Sequence, residues 1–288
     1  MGRSRRVLIT GAAGQVGREL VEAFEGEAAW TVVACDRAVL DVADREQVLQ
    51  LIGAAQPEVV VHAAAYTDVD GCQLDPGRAY QANALATRHV AEAARLVGAR
   101  VAYLSTDYVF DGMASRPYNE WDAPNPLSVY GHSKLGGEAE LSGDDTVVRT
   151  SWVCGHHGRN FLKTVLGRAG AGQPLRVVDD QFGCPTFADD LAQMVKRLVV
   201  ARMPGTYHVT NQGPTSWYRF ARDIVAAAGL DADLVSPICT GELDPPRPAP
   251  RPHSSVLDNA ALRLSGVPLL PDFHEGLERL VKDLTSAT

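Results

Sequence analysis

The sequence is poor in the features that mark metal, disulfide and membrane proteins. Its five cysteines, Cys35, Cys72, Cys154, Cys184 and Cys239, are scattered, odd in number and without CxxC spacing, so they suggest neither a disulfide framework nor a zinc site and fit a reducing compartment. The basic start MGRSRR precedes only the short apolar run at residues 7–9, too short for a signal peptide, and no run approaches the roughly 18 apolar residues of a membrane span. The expectation is a cytoplasmic protein with no membrane partner. Positive charge is short as well: 27 Lys and Arg against 35 Asp and Glu leave a net charge of -8, with no basic patch for a nucleic-acid backbone. The eight histidines make no HExxH arrangement, so the pair His156 and His157 reads as loop rather than ligand. No internal repeat is visible. The one low-complexity segment, DPPRPAPRP at residues 244–252, predicts a stiff extended loop.

What is present is a nucleotide-binding pattern in the first half. Residues 6–10 (RVLIT) predict a short strand running into Gly11-Ala12-Ala13-Gly14-Gln15-Val16-Gly17 and then a helix to about Phe24. Glycines here let the backbone approach a diphosphate at the positive end of a helix, and Gly17 lets helix and strand pack closely. Residues 30–35 predict a second strand ending at Asp36, where an acidic side chain would bond the adenosine ribose and favour NADH; Arg37 beside it could instead bind a 2′-phosphate and favour NADPH. Asp41 and Val42 edge the adenine pocket, or Asp41 starts the helix that continues over residues 44–55. Residues 58–62 predict a parallel strand buried on both faces, ending in Ala63, Ala64 and Ala65, small side chains where a cofactor backbone must come close. A helix over residues 76–97 carries Asn83, which either reaches the active-site backbone or faces solvent.

The chain is organised around residues 101–138. A strand delivers Ser105, Thr106 and Asp107 to a cleft, and a helix starting near Tyr130 brings Lys134 one turn later onto the same face. The chain has four lysines, so a Tyr with a Lys at i+4 is an uncommon pairing here. An ammonium near a phenol lowers its pKa towards the working range, which would let Tyr130 protonate a carbonyl oxygen that Thr106 also bonds. A strand at residues 146–150 completes an alternation that predicts an α/β fold, a Rossmann-type doubly wound parallel sheet, over residues 1–150. Residues 151–288 read as a smaller C-terminal α/β substrate lobe, with some segments returning to the first domain. Helices are predicted there over residues 160–169, 189–200, 217–228 and 272–284, with strands over 175–178 and 205–210. Trp152 either stacks on a sugar ring or fills a core; Arg247 and Arg251 either reach a substrate diphosphate or stand in solvent.

With those pieces in place the chain resembles an extended short-chain dehydrogenase/reductase, and more narrowly the dTDP-4-dehydrorhamnose reductase family. The likeness rests on TGAAGQVGREL, AAAYTDVD, STDYVFDG, NPLSVYGHSK, RTSW, DDQFGCPT, YHVTNQGPTSWYRFA and RPAPRPHSSVLD, in that order. It implies a nucleotide-sugar substrate and hydride transfer from NADPH or NADH to C4 of a 4-keto-6-deoxyhexose. By that resemblance Tyr130 is the proton donor, Lys134 holds the nicotinamide ribose and lowers the tyrosine pKa, Thr106 bonds the sugar's carbonyl oxygen, and Asp107 and Trp152 contact the sugar. Cys154 stands where a tyrosine is usual and Cys184 where Ser or Ala is usual, both in blocks near the sugar. Some family members bind Mg2+ through glutamates at a dimer interface; the matching positions are Glu19, Asp189 and Asp283, which leaves monomer or homodimer open. Two other readings fit the same motifs: a reductase of another nucleotide-linked 4-keto deoxysugar, and a non-catalytic NADP-binding subunit like the regulatory subunit of methionine adenosyltransferase.

Overall fold

The computed structural model of the chain describes residues 5–286; the extreme start of the basic segment, residues 1–4, lies outside them. The first half alternates as β1 (Arg5–Thr10), α1 (Gln15–Glu25), β2 (Trp30–Cys35), α2 (Arg45–Ala55), β3 (Val59–His62), α3 (Val69–Leu74), α4 (Pro76–Tyr80), α5 (Ala86–Val97), β4 (Arg100–Thr106), α6 (Val129–Glu138) and β5 (Thr146–Thr150). The second half is more broken: β6 (Val153–Cys154), α7 (Phe161–Gly170), β7 (Leu175–Val178), β8 (Phe182–Gly183), β9 (Thr186–Phe187), α8 (Ala188–Val200), β10 (Gly205–His208), β11 (Thr215–Ser216), α9 (Trp217–Ala227), β12 (Val235–Ile238), α10 (Ala260–Leu264) and α11 (Phe273–Ser286).

The main sheet has the order β10-β5-β4-β3-β1-β2, with every neighbouring pair parallel. Its central strands are buried on both faces, so their residues sort alternately into two cores. Val7, Ile9, Val59 and Val61 pack with Leu20 and Phe24 of α1 and Leu191 and Val195 of α8. Leu8, Val60 and Tyr103 pack on the other face with Val48 and Ile52 of α2 and Val90 of α5. Three segments from beyond residue 151 therefore belong to the sheet layer: β10 extends it past β5, α8 lies against α1, and α10 adds Ala261 and Leu262 to the first of these cores. A separate core of Leu162, Val165, Phe187, Phe220, Ile224 and Leu277 holds the remaining C-terminal elements together.

Several helix starts follow from the residue before them. Asp44 caps α2 through the N–H groups of Glu46 and Gln47, Ser128 caps α6 through Gly131, and Asn160 caps α7 through Lys163. The helix expected over residues 76–97 is interrupted: α4 and α5 are joined by a π-helical turn, Gln81–Leu85, that contains Asn83. Helix α3 and strand β12, the latter paired with β7, are elements the sequence pattern did not suggest.

Candidate active site

Because β1 is flanked by β2 on one side and β3 on the other, the chain reverses its winding there, and a crevice opens at the carboxyl ends of β1 and β3. It forms a groove of about 510 Å³ lined by Gly11, Gly14, Asp36, Arg37, Asp41 and Val42 on one side and by Ala63, Ala64 and Ala65 on the other. Gly11 is left-handed at φ +67°, and a Cβ there would stand 2.8 Å from the Ala64 nitrogen. A Cβ on Gly17 would stand 2.1 Å from the Gly11 carbonyl oxygen, so only glycine lets α1 start this close to the loop. Gly14 caps α1 without a side chain to bond the helix's first N–H groups.

The individual groove residues sort differently from their sequence neighbours. Asp36 turns its carboxylate to the N–H groups of Ala38 (2.9 Å) and Val39 (3.1 Å), while Arg37 is exposed beside it. Asp41 and Val42 line the groove, and the following helix starts only at Arg45. Gln15 points away from the groove, donating to the Val153 carbonyl at 2.9 Å and accepting from Asn160 at 2.7 Å, while Val16 packs on the core. Asn83 is buried and fully engaged: its amide accepts from the Tyr66 N–H (2.8 Å) and donates to the Tyr66 carbonyl (3.0 Å) and the Ser133 hydroxyl (2.9 Å). It shapes the groove wall through Tyr66 rather than facing the groove. Tyr66, which follows the three alanines at the carboxyl end of the sheet, also lines the groove, as do Arg78 and Gln81, which carried no signal in the sequence because a packed helix brings them there.

Next to the groove, α6 places Tyr130 against the end of β4. The Tyr130 hydroxyl shares a hydrogen bond with Thr106. Thr106 accepts from the Tyr108 N–H and donates to Asp107, whose other oxygen accepts from Ser255. Burial pushes Asp107 up to about 7, against those hydrogen bonds. Burial and the nearby Asp107 also push the Tyr130 phenol well above its ordinary value, with Thr106 pulling the other way.

Lys134 departs from expectation. Its ammonium donates to the Leu104 carbonyl at 2.6 Å and lies 4.0 Å over the Tyr103 ring, and burial lowers it to about 7 against the pull of Glu138. The depression of the Tyr130 pKa by Lys134 that the i+4 spacing suggested is not found, because the lysine side chain runs to β4 instead of along the helix to the phenol.

A second cavity of about 370 Å³ opens beyond Tyr108, lined by Arg168, Arg176, Arg247 and Arg251 together with Phe161 and Trp217. Arg247 and Arg251 come from the proline-rich loop, and both are held by Asp70 of α3, Arg251 through two bonds of 2.6 and 2.9 Å and Arg247 through one of 3.1 Å. Burial raises the Asp70 pKa, but bonds from Arg251, the Ala249 N–H and Arg247 outweigh it and bring it down to about 2. Trp152 has a left-handed backbone (φ +47°) and stacks on Trp217 at 3.6 Å between ring centres. Its other side meets Gly183, where a Cβ would come within 2.5 Å of the indole. Of the two alternatives for Trp152 the structure has the packed one: it stacks on Trp217, which lines this cavity, and does not line it itself.

Glu19 and Asp283 stand beside histidines, and Asp189 pairs with an arginine. Asp283 pairs with His156 at 3.3 Å, Glu19 with His157 at 3.9 Å, and Arg279 bonds Asp189 at 2.8 Å and Asp190 at 3.0 Å. Among the described residues no group of three or more His, Cys, Asp or Glu is arranged to hold a metal ion. Among the described residues no helix is long and apolar enough to cross a membrane.

A parallel sheet with its crevice at the β1/β3 switch, a glycine-lined groove, and a Tyr and Lys on one helix beside a strand-end Thr define an extended short-chain dehydrogenase/reductase. Within that class the chain belongs to the family described as RmlD substrate binding domain, whose profile matches residues 5–286. It is 40% identical over 300 residues to a dTDP-4-dehydrorhamnose reductase of Burkholderia thailandensis, covering 98% of this chain and 99% of that one. It is 37% identical to a dTDP-4-keto-6-deoxy-D-glucose reductase of Streptomyces niveus, covering 91% of each. The crystal structure of the Bacillus anthracis dTDP-4-dehydrorhamnose reductase in complex with NADP superposes with a TM-score of 0.93 at 38% identity, covering 98% of this chain and 100% of that one.

Proposed function

We propose that the chain reduces the C4 keto group of dTDP-4-dehydro-L-rhamnose to give dTDP-L-rhamnose, using NADPH or NADH. The observation that carries the reading is the position of Tyr130. It stands edge-on to Tyr108, which lines the arginine-rich cavity, and beside Cys72, whose thiol bonds Tyr66 on the wall of the glycine groove. The reacting carbonyl would sit there, between a dinucleotide on one side and a nucleoside diphosphate on the other.

The groove residues fit a dinucleotide. Gly11 and Gly17 leave room that a side chain would fill, and the first turn of α1 offers N–H groups to a diphosphate. Arg37, exposed beside an Asp36 carboxylate already committed to its own turn, suits the 2′-phosphate of NADPH, and the NADP complex of the Bacillus anthracis relative supports the same choice. A reduced nicotinamide bound there supplies the hydride. Arg168, Arg176, Arg247 and Arg251 offer the planar, multidentate donors that diphosphates take, while Phe161 and Trp217 offer ring faces to a base.

As hydride reaches C4, negative charge grows on its oxygen, where Tyr130 would donate, joined by Thr106 once its proton turns from Asp107. Tyr130 then gives up its proton. The transfer is downhill even from a phenol of raised pKa, because an alkoxide is the stronger base. Lys134, its ammonium held at the end of β4, would bond the nicotinamide ribose.

The Streptomyces niveus relative favours a second reading, in which the keto sugar is the 4-keto-6-deoxy-D-glucose derivative. Both sugars, assayed with NADPH and with NADH by loss of reduced-nicotinamide absorbance, decide between them. Tyr130→Phe should lower kcat by about 10²–10⁴-fold while leaving NADPH affinity unchanged. Equal turnover by this variant and the wild type would remove Tyr130 from the chemistry. No turnover of either sugar by wild-type protein that binds NADPH would leave another nucleotide-linked keto sugar or a binding subunit.

A further inference from the structure

Tyr130, Lys134 and Glu138 follow one another at intervals of four on α6 and so share the face turned to the sheet. Glu138 is buried by a clamp from two adjacent strands. Arg149 bonds its carboxylate through Nε at 3.0 Å and Nη2 at 2.6 Å, and the Ser105 hydroxyl bonds the same group. Ser105 on β4 and Arg149 on β5 are register partners, and the side chains of Arg149 and Glu138 are 6% and 8% exposed. To hold this grip Arg149 leaves its Nη1 buried without a hydrogen bond.

Among the described residues, Glu138 is the full negative charge that acts on Lys134. From β3 comes His62, held neutral by burial and by Lys134 itself, and from β4 comes the Tyr103 ring. Its own helix adds Tyr130 and Glu138, and β5 adds Arg149, which faces His208 of β10. Asp107 lies on the far side of Tyr130, with its oxygens taken by Thr106 and Ser255. The Leu104 carbonyl and the Tyr103 ring offer partial charges, whereas Glu138 offers a whole one.

We propose that Glu138, clamped by Arg149 and Ser105, is a positioning residue whose carboxylate is the counter-charge that keeps the buried Lys134 ammonium protonated. The proposal rests on the reductase reading for its catalytic consequence: a protonated Lys134 is what would bond the nicotinamide ribose and hold the cofactor for hydride transfer. Arg149 holds Glu138 in place and opposes its field, so the two halves of one ion pair act on Lys134 with opposite sign. A purely structural ion pair has no such asymmetry.

The test is the alkaline limb of kcat/KM against pH, together with the pH dependence of NADPH dissociation, in the wild type and four variants. Glu138→Gln leaves Arg149 unopposed and should move the limb down by about one pH unit or more, a tenfold change in proton affinity. Arg149→Met leaves Glu138 unopposed and should move the limb up. The double variant, with no unpaired buried charge, should fall between them, and Arg149→Lys should restore the wild-type position. Limbs that stay put, or move the same way in both single variants, overturn the proposal. If Glu138→Gln does not fold, Arg149→Met decides alone, and an unmoved or lowered limb overturns it. If the wild type reduces neither keto sugar, the reductase reading fails separately, and the NADPH-affinity profiles still decide the role of Glu138.

Discussion

Asp107 is a carboxyl group in a place where ionising is costly. Burial raises its pKa to about 7, far above the ordinary carboxylate value of about 3.9. Between about pH 4 and 7 the folded chain therefore holds a proton that the unfolded chain has released, and this group's contribution to stability falls as the pH rises through that window. Asp107→Asn removes the titration. The melting temperature of the variant relative to the wild type should climb from about pH 4 to about pH 7 and level off above; a constant difference in paired thermal melts would show that Asp107 ionises freely. The order of a strand end followed by a helix brought Tyr130 and Thr106 together, because β4 and α6 are successive elements whose facing ends meet at the cleft. Spacing misdirected Lys134, because the partner that captures its ammonium is a carbonyl on a strand thirty residues earlier.

The π-turn between α4 and α5 is the element on which the groove wall depends. One extra residue in the turn aims Asn83 inward, where its amide joins the Tyr66 backbone to Ser133 on α6. Asn83→Ala leaves those buried groups unpaired, which should cost about 1–3 kcal/mol of stability in denaturant titration and weaken NADPH binding measured by calorimetry. An unchanged dissociation constant would mean that Tyr66 holds its place without Asn83. Apolar periodicity marked residues 76–97 as helical and could not register the added residue, since the flanking turns keep their usual pattern. The alternating first half was legible for the same reason in reverse: its strands are continuous apolar runs and its glycines sit at the first turn. Strands β6, β8, β9 and β11 are two residues long, too short to show any alternation, so the substrate lobe's layout emerges only from its tertiary packing. The second cavity was half visible, in Arg247 and Arg251; Arg168 and Arg176 lie on elements whose approach no spacing reveals.

Across the whole molecule, two neutral histidines set the response to acid. His62 of β3 and His208 of β10 are buried, and burial together with the charges of Lys134 and Arg149 lowers each to about 3. Unfolded histidine takes up its proton near 6.5, so the stability these two contribute is fully present above about pH 6.5 and is lost as the pH falls from there towards about 3. Replacing both with Gln should flatten that part of a stability-against-pH curve from urea melts; an equally steep curve would assign the loss to carboxylates. The strand carrying His208 has a further consequence, in the order of synthesis. During translation β5 leaves the ribosome with an open edge, and the strand that covers it follows roughly 60 residues later. At 5–20 residues per second the nascent sheet waits roughly 3–12 s for its last strand. A chain cut after residue 150 would wait indefinitely, offering β5 as a template for other chains.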